Sequence, residues 1–318
     1  MNYQYIDTHA HVNINAFKDD WKEVVERTRG EGVAHINVGT QFDTSKCAVE
    51  IAEQFEDGVY AIIGLHPVHT TASYHDEKEL GEEPRGGSAR LTENFSERGE
   101  GKSPVSGQSR YEKESKGFTS RGEQFDIDAY RELAKSKKVV GIGECGLDYY
   151  RLEADTKEKQ EEAFIQQIEL ANELNLPLMI HTRDAQGNQA SAGAVGSVYD
   201  DTYAILKKHA KVPGNIHFYA GNAEQAKKFF DIGFTISFTG VITFAKDYEE
   251  VVRSAPLEMI HAETDCPYVA PKPFRGQRNE PLHVREVYKK IAEIKEVDEK
   301  VVRAQLMENA KSLYRIKQ

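Results

Sequence analysis

The sequence predicts an α/β fold, a (β/α)8 TIM barrel, on three observations. Eight short runs rich in Ile and Val recur along the 318 residues, as parallel strands buried on both faces require. Amphipathic helical patterns fill most of the intervals between them. Histidines and acids stand at the ends of several runs, where such barrels gather their sites. The length suits one large barrel or two ordinary domains, and a doubly wound open sheet competes as an architecture that composition does not separate.

The candidate strands are 3–8, 33–38, 59–65, 139–143, 177–181, 214–218, 234–238 and 257–263. After the first, Phe17, Trp21, Val24, Val25 and Thr28 share one helical face, with Gly30 as a C-cap. After the second, Thr44 can N-cap a helix that buries Cys47, Ala48, Ile51, Ala52 and Phe55. A helix near 126–135 precedes the fourth strand. Thr156 opens a longer helix carrying Phe164, Ile168, Ala171 and Leu174, which must stop before Pro177. Asn222 heads another with Ala226, Phe229 and Phe230, ended by Gly233.

Two stretches break this alternation, within what reads as a single domain over 1–318. Residues 75–121 are mostly Gly, Ser, Glu, Lys and Arg, too poor in apolar surface to offset ordering entropy, and read as a flexible insertion after the third strand. Residues 186–200, rich in Ala, Gly and Ser, read as a shorter loop insertion after the fifth. Both leave from strand C-termini, so both could sit over the mouth; solvated, tolerated insertions are the plainer expectation.

The net charge of −11 argues against a broad coat of phosphate contacts along duplex DNA, and leaves room for a few phosphates held close to the chemistry. No run of eighteen apolar residues predicts a membrane span, and the first residues lack a signal peptide's basic and apolar regions. Cys47, Cys145 and Cys266, odd in number and without metal-ribbon spacing, read as reduced thiols. A cytoplasmic enzyme with no obligate protein partner is the expectation.

The chemistry resides at the strand ends. His9 and His11 follow the first strand two residues apart, so an extended backbone points both the same way, toward one cation. Alone, such a pair is better explained as two polar turn residues. Glu144 ends the Val-Val-Gly-Ile-Gly run, where a buried carboxylate must be ion-paired or bind metal. His181 ends strand five, His217 ends strand six, and Asp265 follows strand eight. Any one of these could be a satisfied structural residue. The six together suffice for two cations sharing one carboxylate.

In these blocks the chain resembles the TatD family of metal-dependent deoxyribonucleases, within the amidohydrolase superfamily. The likeness is carried by Asp7-Thr8-His9-Ala10-His11, Gly64-Leu65-His66-Pro67, Gly143-Glu144-Cys145-Gly146-Leu147-Asp148-Tyr149-Tyr150 and Ile180-His181-Thr182-Arg183-Asp184-Ala185. It continues through His217-Phe218-Tyr219-Ala220-Gly221, Glu263-Thr264-Asp265-Cys266-Pro267-Tyr268 and Arg275-Gly276-Gln277-Arg278-Asn279-Glu280-Pro281. The resemblance implies two divalent ions, Mg, Mn or Zn. His9, His11 and Asp265 would hold one, His181 and His217 the other, and Glu144 would bridge them, with Asp265 and Glu144 as catalytic residues. It places His66, Arg183 and Arg275 toward substrate, with Lys272 and Arg278 as weaker candidates; Asp7 could orient His9. It also implies a 3′-to-5′ exonuclease acting on the ends of single-stranded DNA or RNA.

Cys145 stands where the family usually has an aliphatic residue, and Phe218-Tyr219-Ala220 replaces the usual Cys-Phe-Ser/Thr, which would alter the pocket wall. Cys145 and Cys266 adjoin expected ligands but alternate away from them in an extended strand, which favours core packing. Two other readings stay open: an amide- or ester-cleaving barrel such as a D-aminoacyl-tRNA deacylase, and a barrel retained only for binding.

Overall fold

The computed structural model describes residues 3–75, 118–120, 122–150, 156–185 and 197–316. Eight parallel strands follow one another around a barrel: β1 (Tyr5–Ala10), β2 (Val33–Val38), β3 (Val59–Ile63), β6 (Val139–Asp148), β7 (Leu178–Arg183), β8 (Gly214–Ile216), β9 (Phe234–Phe238) and β10 (Ile260–Ala262). The open-sheet alternative falls because the first and last strands meet. The Ala10–Cys266 bridge joins them in parallel, with His11 N–H donating to Cys266 O and Asp265 N–H to His9 O, both at 2.9 Å.

The helices pack outside. They are α1 (Trp21–Gly30), α2 (Phe42–Glu53), α3 (Ile127–Leu133), α4 (Thr156–Leu174), α5 (Val198–His209), α6 (Ala223–Phe230), α7 (Glu249–Ser254), α8 (Val284–Lys295) and α9 (Glu299–Tyr314). One large apolar cluster joins helix faces to the outward strand residues. A second joins Ile6, Ala34, Ile36, Val38, Ile62, Val140 and Met179 to Met307, Ala310 and Tyr314 of α9. These strand positions alternate with the outward ones, so they fill the barrel and the last helix covers its floor.

Several boundaries differ from the sequence reading. Thr44 is not the cap of α2: Gln41 is, and Thr44 closes a capping box from the third helical position. Gly30 is the last residue of α1 rather than its cap. The last strand is shorter, because Leu257–Met259 forms a 3-10 turn before it. The longest departure is β6, which runs on past Gly143 to Asp148 and pairs with β7 from Cys145–Ile180 to Asp148–Arg183.

Of the expected insertion 75–121, residues 76–117 and 121 lie outside the described residues. Its ends are ordered: β4 (Ser73–His75) and β5 (Phe118–Ser120) pair antiparallel. Of the second stretch, 186–196 lie outside the described residues, and Val198 to Asp200 form the first turn of α5 rather than loop. No helix among the described residues is long and apolar enough to cross a membrane.

Candidate metal centre

Five strands bring the six expected ligand residues to one place, Glu144 from within β6 and the others from at or just past the C-terminal ends of β1, β7, β8 and β10. Glu144 is at the middle, 3% exposed. Its two oxygens face different groups. Oε2 lies 3.4 Å from His9 Nε2 and 3.7 Å from His11 Nε2. Oε1 lies 2.8 Å from both His181 Nδ1 and His217 Nε2. Asp265 joins the first group, with Oδ1 3.4 Å from His11 Nε2 and 3.8 Å from His9 Nε2. His66 joins the second, its Nε2 3.4 Å from Glu144 Oε1 and its ring 4.1 Å from that of His181. The sequence placed His66 near substrate; the structure puts it inside the cluster.

The charge balance within the cluster is one-sided. Burial pushes the Glu144 carboxyl up, but the imidazoles around it, His217 first, outweigh that and hold it well below the ordinary carboxylate range. Burial and then the neighbouring His217 push His9 down to about 4. Burial also opposes a charge on His217, yet Glu144 beside it raises its pKa well above the usual value.

Whether these residues fit cations is answered by their contacts. His9 Nε2 and His11 Nε2 are 3.0 Å apart, the spacing of two ligands each about 2.1 Å from a common ion. His9, His11 and Glu144 all place ligand atoms within 4.8 Å of one another, as do His66, Glu144 and His181. The rings are also aimed from behind, as metal-binding imidazoles require. His11 Nδ1 meets Val38 O at 2.8 Å, and His181 Nε2 meets Asp148 Oδ2 at 3.0 Å. The donor set fits.

His66 is less suited to be a ligand. Its Nδ1 accepts from Val68 N–H at 3.2 Å, which leaves a neutral ring's proton on Nε2, directed at Glu144. Asp7 acts through backbone: Oδ1 accepts from His9 N–H and Thr264 N–H, and Oδ2 accepts from the Thr264 hydroxyl. It thereby holds together the two segments that carry His9, His11 and Asp265.

The expected substrate arginines stay outside the cluster. Arg183, at the end of β7, is exposed and lies 3.8 Å over the Tyr150 ring. Arg275 lies 4.1 Å over Phe244 and donates to Ala270 O. Arg278 is engaged structurally, bound to Asp20 and to Ala16 O. Cys145 and Cys266 are fully buried, and burial pushes both thiols up, which makes them packing residues.

Two buried carboxylates of the site have no assigned role in the sequence reading: Asp148 behind His181, and Glu263, 3.4 Å from His217 Nδ1. A signal for the first lay on α4. Gln160 and Gln167, two helical turns apart, are buried polar residues on its inner face. Gln160 clamps the Asp148 backbone at 2.8 and 3.0 Å, and Gln167 clamps Leu65, next to His66, at 2.8 and 2.9 Å.

A parallel barrel with buried imidazoles and carboxylates converging at its strand C-termini defines the class, a metal-dependent hydrolase. Within that class the chain belongs to the family described as TatD related DNase, whose model matches residues 6–315. It is 36% identical over 315 residues to a Bacillus subtilis protein named as the uncharacterized metal-dependent hydrolase YabD, covering 98% of each chain. It is 26% identical over 308 residues to the similarly named MJ1582 of Methanocaldococcus jannaschii, covering 96% of this chain and 95% of that one. Among solved structures, the fold is similar to the TatD homolog YjjV of Escherichia coli K12, with a TM-score of 0.72, 22% identity and full coverage of both chains.

Proposed function

We propose that the chain hydrolyses phosphodiester bonds with two divalent ions, as a 3′-to-5′ exodeoxyribonuclease on single-stranded DNA or RNA. The observation that carries the two-ion reading is the split of Glu144, one oxygen toward His9 and His11 and the other toward His181 and His217. His9, His11 and Asp265 would hold one ion, His181 and His217 the other. When bound, the ions lower the pKa of an attacking water and offset charge on the phosphate.

The protein's own groups supply the rest. Asp265 would accept the attacking water's proton. The Nε2–H of His66 is a fixed donor toward the centre. Arg275 and Arg183, each laid on an aromatic ring, offer guanidinium planes for a phosphate or a base. The acidic whole chain suits a substrate gripped at its end rather than along its length.

Glu144→Ala and His181→Ala test the assignment. Each is expected to lower metal-dependent release of nucleotides from a labelled single strand by at least about a hundredfold; full turnover in either would refute it. Running single-stranded DNA, RNA and a D-aminoacyl-tRNA in parallel separates nuclease work from ester or amide cleavage on the same centre.

A further inference from the structure

We infer that Glu263 is a positioning residue for the metal centre, held as an acceptor at the end of a chain of inward-facing polar side chains that crosses the inside of the barrel. The inference rests on the two-ion reading but not on the choice of substrate.

The arc formed by β8, β9 and β10 differs from the apolar remainder of the barrel. Asn215, Thr235, Ser237, His261 and Glu263 point inward from it. Asn215 touches Met179 Sδ, and His261 lies 6.1 Å from the Tyr314 ring; both partners belong to the interior cluster. These side chains are hydrogen-bonded in series. His261 Nε2 meets Thr235 Oγ1 at 3.0 Å. Thr235 Oγ1 has one proton and lies 3.1 Å from both Asn215 Oδ1 and Gly214 O, which can only accept, so the contacts are best satisfied when the imidazole donates to Thr235. Asn215 Nδ2 then donates to Ser237 Oγ at 2.7 Å, and Ser237 Oγ donates to Glu263 Oε2 at 2.7 Å.

The chain therefore begins near the barrel floor and ends on one carboxylate oxygen. The other oxygen, Oε1, accepts Phe218 N–H at 2.6 Å. Phe218 sits at φ 44, a region that bulky residues avoid, so this bond also fixes the backbone turn beside His217. Oε1 still faces His217 Nδ1 at 3.4 Å, which makes no hydrogen bond of its own among the described residues. His9 stacks on His217 at 3.9 Å, and its Nδ1 is likewise buried without a partner among the described residues. The ligand atoms of His9, His217 and Glu263 come within 4.8 Å of one another.

An imidazole that gives Nε2 to an ion must carry its proton on Nδ1, and a buried N–H there needs an acceptor. Glu263 is that acceptor for His217. Through the ring stack it also restrains His9, which belongs to the other ion's group.

The test is binding of Zn²⁺ and Co²⁺ to the metal-free full chain, by equilibrium dialysis and by the Co²⁺ absorption spectrum. Glu263→Gln keeps the shape but removes the charge and turns one of the two acceptor oxygens into an NH2 donor, so it cannot accept from both Ser237 and the Phe218–His217 side. It should weaken Zn²⁺ binding at one of two sites by about 10- to 100-fold and change the Co²⁺ spectrum, in a protein that still folds. Ser237→Ala, which removes one donor to Glu263 and serves if Glu263→Gln does not fold, should act in the same direction by a few-fold, on the order of a third of the logarithmic effect. Wild-type affinity and spectrum in a folded Glu263→Gln protein, or in Ser237→Ala where the first does not fold, would overturn the positioning role. Wild-type protein that binds neither ion would remove the two-ion centre itself, and this role with it.

Discussion

Glu144 and Asp148 lie four residues apart on β6 and grip the same ring from opposite sides, His181 Nδ1 at 2.8 Å and Nε2 at 3.0 Å. A ring held at both nitrogens has no freedom to turn, and the bond behind it raises its basicity as a ligand. Asp148→Asn is therefore expected to weaken Zn²⁺ binding by about 10- to 100-fold with little change in fold, measured by competition with a chromogenic chelator. Unchanged affinity would mean that Glu144 alone orients the ring. The six ligand-type residues are legible in the sequence because each is a polar residue that ends an apolar run. Asp148 and Glu263 are not, because a carboxylate behind a histidine has no spacing rule: its role depends on where a different strand delivers the ring.

Among the elements, β6 decides most of the site, and it is the strand the sequence describes least well. Gly141, Gly143 and Gly146 lower its β propensity, so in the sequence the run breaks off before Glu144. The glycines are there for close approach: a Cβ at Gly143 or Gly146 would overlap the carbonyl oxygens of Met179 and His181 on β7, and both residues have positive φ. Tight pairing with β7 then continues to Asp148. Helix α4 secures that extension through Gln160. Gln160→Leu would leave the Asp148 N–H and C=O buried without partners, at a cost of about 1–3 kcal/mol for each group. Urea unfolding should show the loss, and metal affinity should fall with it; a stability change below about 0.5 kcal/mol would contradict the clamp.

For the molecule as a whole, buried uncharged histidines set the acid limit. Burial, and then the charge of Arg29, push His35 down to about 3; burial alone pushes His261 to about 3. Both are fully buried, and neither His35 nitrogen has a hydrogen-bond partner among the described residues. Unfolded histidine binds its proton near pH 6.5, so this stability is complete above that pH and is lost as pH falls toward 3, by roughly 1.4 kcal/mol per pH unit for each residue. Metal-free protein should weaken steadily below pH 6.5 in urea titrations. His35→Leu should make that decline shallower by one proton's slope; an unchanged slope would show that His35 is not excluded from protonation. The barrel itself was legible because eight apolar runs alternate with helical ones. The polar arc within it was not, since Asn215, Thr235, Ser237 and His261 look like ordinary strand residues until the sheet curls and they face one another.

The closure between β1 and β10 also bears on how the protein is made. Asp7 and Thr264, which tie that closure beside the ligands, are 257 positions apart. On a ribosome the first histidine pair emerges well before Asp265 and waits through that whole interval for it. A product cut short before that point carries His9, His11, Glu144, His181 and His217 but lacks both Asp265 and the bonds that close β1 against β10, so its set of ligands is incomplete.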